Sequence, residues 1–230
     1  MDKLNKHNFL NELLTYKIYF SLTLYYFCTM KNIILCFIVC SLMIGCSNTN
    51  TKLPYLGNPT ITATDTVYPS IPDFEFTNQD SLQVSNHTFD NKIYVADFIF
   101  LNCPTICPIM TTEMLKVYHE FAATQELLFL SHTIDPKNDS IPRLKSHAEN
   151  LNIDNEKWHF VTGEKKDIYT IAEKHYYTTA YADSTAPGGF IHSGGLLLID
   201  KNKNIRGVYD GTNSDETVRL ISDIKILLNE

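Results

Sequence analysis

The chain has 230 residues, 44% of them hydrophobic and 20% charged, a composition that suits one globular domain of ordinary size plus a leader and leaves no room for a second full domain. Its net charge is −7 and no Lys/Arg-rich tract interrupts it, which excludes the electrostatic footprint of a nucleic-acid binder.

The first 45 residues do not read as folded protein. Two short apolar runs, Ile18 to Cys28 and Ile33 to Gly45, lie on either side of Met30 and Lys31. The second has a basic start, an apolar core of about 7–15 residues and small residues at a cut site, which is the layout of a secretory signal. It ends in Leu42-Met43-Ile44-Gly45-Cys46, similar to the lipobox of bacterial lipoproteins. On that reading Met30 is the true start and Cys46 carries lipid as the mature N-terminus. The alternative is one uncleaved helix from about Ile18 to Gly45, which would hold the Lys31 cation near the bilayer centre, a costly position. Either way the domain is anchored to a membrane, by lipid or by helix, and sits on the extracytoplasmic side of the cell envelope. Residues 46–69, rich in Thr, Asn and Pro and without periodicity, read as a flexible tether, and residues 70–230 as the folded domain.

Within that domain Phe74-Glu75-Phe76 and Leu82-Gln83-Val84 alternate around Asn78-Gln79-Asp80-Ser81, which predicts a hairpin. Ile93 to Leu101 is almost wholly apolar and rich in aromatic and β-branched residues, as a strand buried on both faces is. From Pro108 the period becomes helical, with Met110, Met114, Val117 and Phe121 on one face; the two methionines read as core rather than as thioether ligands because the stripe continues past them. Leu127 to Ile134 predicts a strand, Pro142 to Leu151 a helix, His159 to Val161 a strand, and Lys165 to His175 a helix with Ile168, Ile171 and Ala172 inward. Tyr176 to Ile191 has no period and contains Pro187-Gly188-Gly189, so it is expected to be a long loop, and long loops in compact domains are often functional. It delivers His192 to the strand Gly195 to Asp200, which turns into Ile205 to Tyr209. The last helix opens near Ser214, with Val218, Ile221, Ile224 and Leu228 expected inward. A βαβ half followed by a ββα half is a thioredoxin-like α/β fold, a central mixed sheet flanked by helices, with an added N-terminal hairpin.

Four of the six cysteines, Cys28, Cys36, Cys40 and Cys46, lie in the leader, so Cys103 and Cys107 are the one pair in the folded part and no disulfide scaffold can be built. They sit between the buried strand and the following helix. A thiol at a helix N-terminus meets the positive end of the dipole and free backbone N–H groups, which favours the thiolate, at once a nucleophile and a soft-metal ligand. Spacing alone leaves open whether the pair holds an ion or exchanges disulfides. His192 is the third member: two thiolates and an imidazole suit Cu(I), and Cu(II) with an added weak ligand, whereas a closed zinc site normally asks for a fourth protein ligand.

Read together, Phe98-Ile99-Phe100-Leu101-Asn102-Cys103-Pro104-Thr105-Ile106-Cys107-Pro108, Thr133-Ile134-Asp135-Pro136, Trp158 through Thr162-Gly163, and His192-Ser193 running into Leu198-Ile199-Asp200 give a specific pattern. It resembles the Sco/SenC family of copper proteins from about Ile71 to the C-terminus. The resemblance implies a thioredoxin-like fold, membrane tethering, copper held by Cys103, Cys107 and His192, and service to assembly of cytochrome c oxidase, whose subunit carrying the dinuclear copper centre would be the partner. Asn102 departs from the pattern, since many relatives carry Thr there. Some family members look like thiol-disulfide reductases, with Cys103 and Cys107 as the catalytic pair acting on exported clients, and a redox or copper sensor is a third reading. Asp135 reads either as a carboxylate tuning the site from behind its ligands or as a turn residue. Asp97, odd in an apolar strand, reads as an edge residue, a turn contact or a buried proton acceptor, in that order. His87, His119, His132, His147, His159 and His175 show no metal spacing and read as surface or packing residues.

Overall fold

A computed structural model describes residues 52–230 together with the single position Met30; Cys46, both apolar runs of the leader and the first part of the tether lie outside the described residues. Among the described residues no helix is long and apolar enough to cross a membrane.

The sheet grows outward from Ile93–Ile99 (β5), whose seven residues are all buried, as a strand covered on both faces requires. It runs parallel to Leu127–Thr133 (β6), which runs parallel to Trp158–Thr162 (β7). On one flank Gly195–Ile199 (β10) lies antiparallel to β5, and Ile205–Asp210 (β11) antiparallel to β10. On the other flank the hairpin of Glu75–Asn78 (β3) and Gln83–Ser85 (β4) joins through β3 to β7. The seven-stranded order is β11-β10-β5-β6-β7-β3-β4. Four helices accompany the sheet among the described residues: Ile106–Glu120 (α1), Ile141–Leu151 (α2), Lys165–Lys174 (α3) and Ser214–Leu228 (α4). This is the expected thioredoxin-like α/β arrangement.

Local sequence accounts for most of these elements. Met110, Met114, Val117 and Phe121 are buried along α1 as the helical period predicts. The helix begins two residues earlier than expected, at Ile106, which brings Cys107 into its first turn. Lys157 closes the other end by donating from Nζ to the carbonyls of Phe121, Ala122 and Thr124 at 2.6, 3.1 and 2.6 Å. The three carbonyls lie just past the last helical residue, Glu120, and together they satisfy the buried ammonium.

The structure departs from the sequence reading at four points. The segment expected as a loop over 176–191 contains an antiparallel hairpin, Ala180–Ala182 (β8) with Phe190–His192 (β9), in which Ala180 pairs with His192. Its strands are three residues long, too short to show a period. In α4 the inward residues are Thr217, Leu220, Ile224 and Leu227, while Val218 is 64% exposed. The rotation follows from Thr217, whose hydroxyl donates to Glu113 Oε2 on α1 at 2.8 Å, a buried polar contact that hydropathy does not register. Asp97 is not at an edge: it lies in the central strand, 2% exposed. Finally, the chain at Leu53 and Pro54, read as part of a flexible tether, is docked. Arg206 donates to the carbonyls of both residues and pairs with Asp200 and Glu230. The Leu53 amide in turn donates to Glu230 Oε1 at 2.9 Å, and the Arg206 guanidinium lies 4.2 Å from the Tyr55 ring centroid. The short pair Thr60–Ile61 (β1) and Thr66–Val67 (β2) follows, with all four residues exposed.

Candidate metal centre

Three elements meet above the C-terminal end of β5, the end where open α/β sheets place their sites. The strand leads through a turn, closed by the Cys103 amide donating to the Phe100 carbonyl at 3.1 Å, into Cys103; four residues on, Cys107 stands in the first turn of α1. The hairpin β8–β9 brings His192 to the same place across a long stretch of chain. His192 Nε2 lies 3.2 Å from Cys107 Sγ and 4.0 Å from Cys103 Sγ, and the three ligand atoms lie within 4.8 Å of one another. Both cysteines are free thiols, and each side chain is under a tenth exposed. The three residues singled out in the sequence therefore converge.

The imidazole is oriented for ligation. Its Nδ1 lies 3.2 Å from the Ser193 carbonyl, which can only accept, so Nδ1 carries the proton and the Nε2 lone pair faces the sulfurs. The ring also packs edge-on against Phe100, 5.6 Å between centroids. The tip of the hairpin closes over the same Phe100. Gly188 has φ +76°, and a Cβ there would stand 2.7 Å from Phe100 Cε2 and 3.2 Å from Pro104 Cδ, so glycine is required both by the backbone and by the close approach.

The two thiols are driven apart in acidity. Burial raises the Cys103 thiol, but the His192 ring beside it, together with hydrogen bonds from the backbone at Cys107 and from Thr105, outweighs that and brings it down to about 6. Cys107 lies deeper: burial pushes its thiol far above the ordinary range, and the neighbouring Cys103 pushes the same way. One sulfur is thus an available thiolate at neutral pH, and the other keeps its proton until a cation or an oxidant removes it.

Asp135 is 5% exposed, but its carboxylate is taken up by Asn138 Nδ2 at 2.7 Å, and its carbonyl accepts from the amides of Asn138 and Asp139. Among the described residues it makes no hydrogen bond to Cys103, Cys107 or His192, and its contacts are those of a turn residue. The sequence reading missed Asp139 and Arg143, which hold the turn before Cys103 and are taken up below. His132, His147 and His159 are packing residues, as expected; His132 lies fully buried, stacked on Phe98 at 4.8 Å.

Comparison with known proteins agrees with this geometry. Residues 62–229 match the family model described as SCO1/SenC. A SCO1 protein homolog of Bacillus subtilis (strain 168) is 31% identical over 160 residues, covering 67% of this chain and 81% of the relative. Among solved structures, a SCO1/SenC family lipoprotein from Bacillus anthracis str. Ames superposes with a TM-score of 0.64 at 30% identity, over 69% of this chain and 95% of that one. BsSco, a member of the Sco family of cytochrome c oxidase assembly proteins in which a disulfide switch was identified, gives 0.60 at 29% identity, over 68% and 91%.

Proposed function

This chain belongs to the SCO1/SenC family, and we propose that it is a membrane-tethered metallochaperone. In this reading Cys103, Cys107 and His192 bind copper and deliver it to, or prepare the thiols of, the dinuclear copper centre of cytochrome c oxidase. The observation that carries the reading is the convergence of two sulfurs and one bare imidazole nitrogen within 4.8 Å. That donor set is soft and three-coordinate, which fits Cu(I), or Cu(II) with a weak additional ligand. Among the described residues no fourth Cys, His or carboxylate joins it, which disfavours a closed structural zinc site. Copper here is cargo, and an undersaturated site can surrender it by ligand exchange. The lipoprotein character of the Bacillus anthracis relative supports a tether through lipidated Cys46, with the domain outside the cytoplasmic membrane. The oxidase-assembly role stated for BsSco supports the choice of client.

A second reading, thiol-disulfide oxidoreductase, is favoured by the unequal acidity of the two thiols. The Cys103 thiolate would attack a client disulfide, releasing one client thiolate and forming a mixed disulfide; Cys107 would then displace the second client thiolate, leaving a Cys103–Cys107 disulfide and a reduced client. Preparing a client's thiols for loading requires this chemistry, so the two activities are compatible.

The test is titration of the reduced full chain with Cu(I) and with Cu(II), repeated on His192→Ala. A chaperone forms a stoichiometric complex, and the variant loses copper affinity at least about tenfold. Failure to form that complex, or preferential binding of zinc, overturns the copper reading.

A further inference from the structure

The turn that passes the chain from β5 to Cys103 is held by side chains that belong to neither cysteine nor histidine. Inside it, the Leu101 amide donates to Asp139 Oδ2 at 3.0 Å. The same oxygen accepts the hydroxyl proton of Thr133, at the end of β6, at 2.6 Å. Asp139 is fully buried. Its other oxygen lies 3.5 Å from Arg143 Nη1, and Arg143, in the first turn of α2, donates from Nη2 to Asn102 Oδ1 at 2.9 Å and from Nη1 to the Asn138 carbonyl at 2.9 Å. Two consecutive residues of the turn, Leu101 by its backbone and Asn102 by its side chain, are thereby fixed to β6 and α2. The next residue is Cys103.

We propose that Asp139, acting with Arg143 and Asn102, is the positioning unit of the metal centre: it fixes the Phe100–Cys103 turn and so sets where the Cys103 sulfur stands relative to Cys107 and His192. None of the three touches a ligand atom. They act on the backbone that carries one. The inference rests on the copper reading for its metal arm, and it gives Asn102 a role, since its amide oxygen is the group that Arg143 grasps.

Removing the carboxylate releases the Leu101 amide and leaves Thr133 and Arg143 without their shared acceptor. The turn then samples more conformations, so bringing the sulfurs together, around an ion or into a disulfide, costs more entropy. Two quantities are read on the full chain: Cu(I) affinity by chelator competition, and the Cys103/Cys107 dithiol-disulfide equilibrium against a glutathione buffer without metal. Asp139→Ala is expected to weaken Cu(I) binding about 10- to 100-fold, the range found when groups that orient a ligand are removed. Disulfide closure should become about tenfold less favourable, which is about 30 mV for this two-electron couple. Asp139→Asn, which keeps a carbonyl oxygen for the Leu101 amide, should recover part of both. Should Asp139→Ala not fold, Asn102→Ala and Arg143→Gln, altered at exposed side chains, decide the matter by a smaller change in the same direction. Wild-type affinity and wild-type disulfide equilibrium in the folded variants overturn the proposal. If the wild-type chain binds no copper, the copper reading falls while the disulfide equilibrium still decides the positioning role.

Discussion

Cys103 and Cys107 stand four residues apart, one before α1 and one in its first turn, yet their surroundings separate them into a thiolate and a protonated thiol. The sulfur that the amides at the start of α1 can reach is stabilised as an anion, and the one beneath it, facing apolar side chains, is not. A third buried acid lies in the same region. Asp97 is beside Ser131 in the β5–β6 register, its Oδ1 finds no partner among the described residues, and burial raises its carboxyl to about 7. In the unfolded chain that group titrates near 4, about the ordinary value. Between about pH 4 and pH 7 the native state therefore binds the proton more tightly, and stability fully present below that window is lost as the pH rises through it. Asp97→Asn is expected to leave the melting temperature nearly unchanged at pH 4 and to raise it at pH 8, with an upper bound of about 4 kcal/mol. Thermal unfolding of both proteins across pH 4–8 checks this, and a difference independent of pH would mean that Asp97 is ionised in the fold.

At the scale of elements, the parts legible in the sequence are those whose burial is uniform. β5 announces itself because six of its seven side chains are apolar or aromatic, and α1 because four inward residues repeat at helical spacing. The β8–β9 hairpin is illegible for the opposite reason: most of its side chains are partly or wholly exposed, and what holds it is backbone pairing plus the seat of its tip on Phe100 and Pro104. The inward face of α4 is hidden from hydropathy because a threonine, drawn inward by Glu113, displaces an apolar residue to the surface. The ligands themselves were legible as residue types, while Asp139 and Arg143 were not, since they act from 38 and 41 positions away on a turn that no motif marks. The hairpin yields its own prediction. Gly188→Ala places a methyl group against Phe100 at a φ that L residues avoid, so the tip lifts and carries His192 away from the sulfurs. Copper affinity should fall by more than stability does, and equal affinity in the variant would mean that the tip and His192 move independently.

For the whole molecule, the clasp around Arg206 is the feature that ties the two ends of the described chain. The guanidinium side chain is 2% exposed and pairs with Asp200 at 3.1 Å and Glu230 at 2.7 Å, while donating to the backbone of Leu53 and Pro54. Arg206→Ala leaves two carboxylates without their cation and the N-terminal segment without its donors. A loss of about 3–5 kcal/mol is expected, as for other broken buried pairs. Limited proteolysis should then cut near Tyr55 in the variant before it cuts the wild-type chain; equal cleavage rates would mean that the segment is held by other contacts. The clasp lies beside Ile93, at the beginning of the central strand, and the cysteines lie beyond its last residue, Ile99. Seven residues of strand at about 3.3 Å each separate the two by roughly 20 Å. A force applied to the segment before Leu53 is therefore borne by Arg206 and the floor of the sheet, and the opposite pole, where the cysteines stand, is left clear of that load.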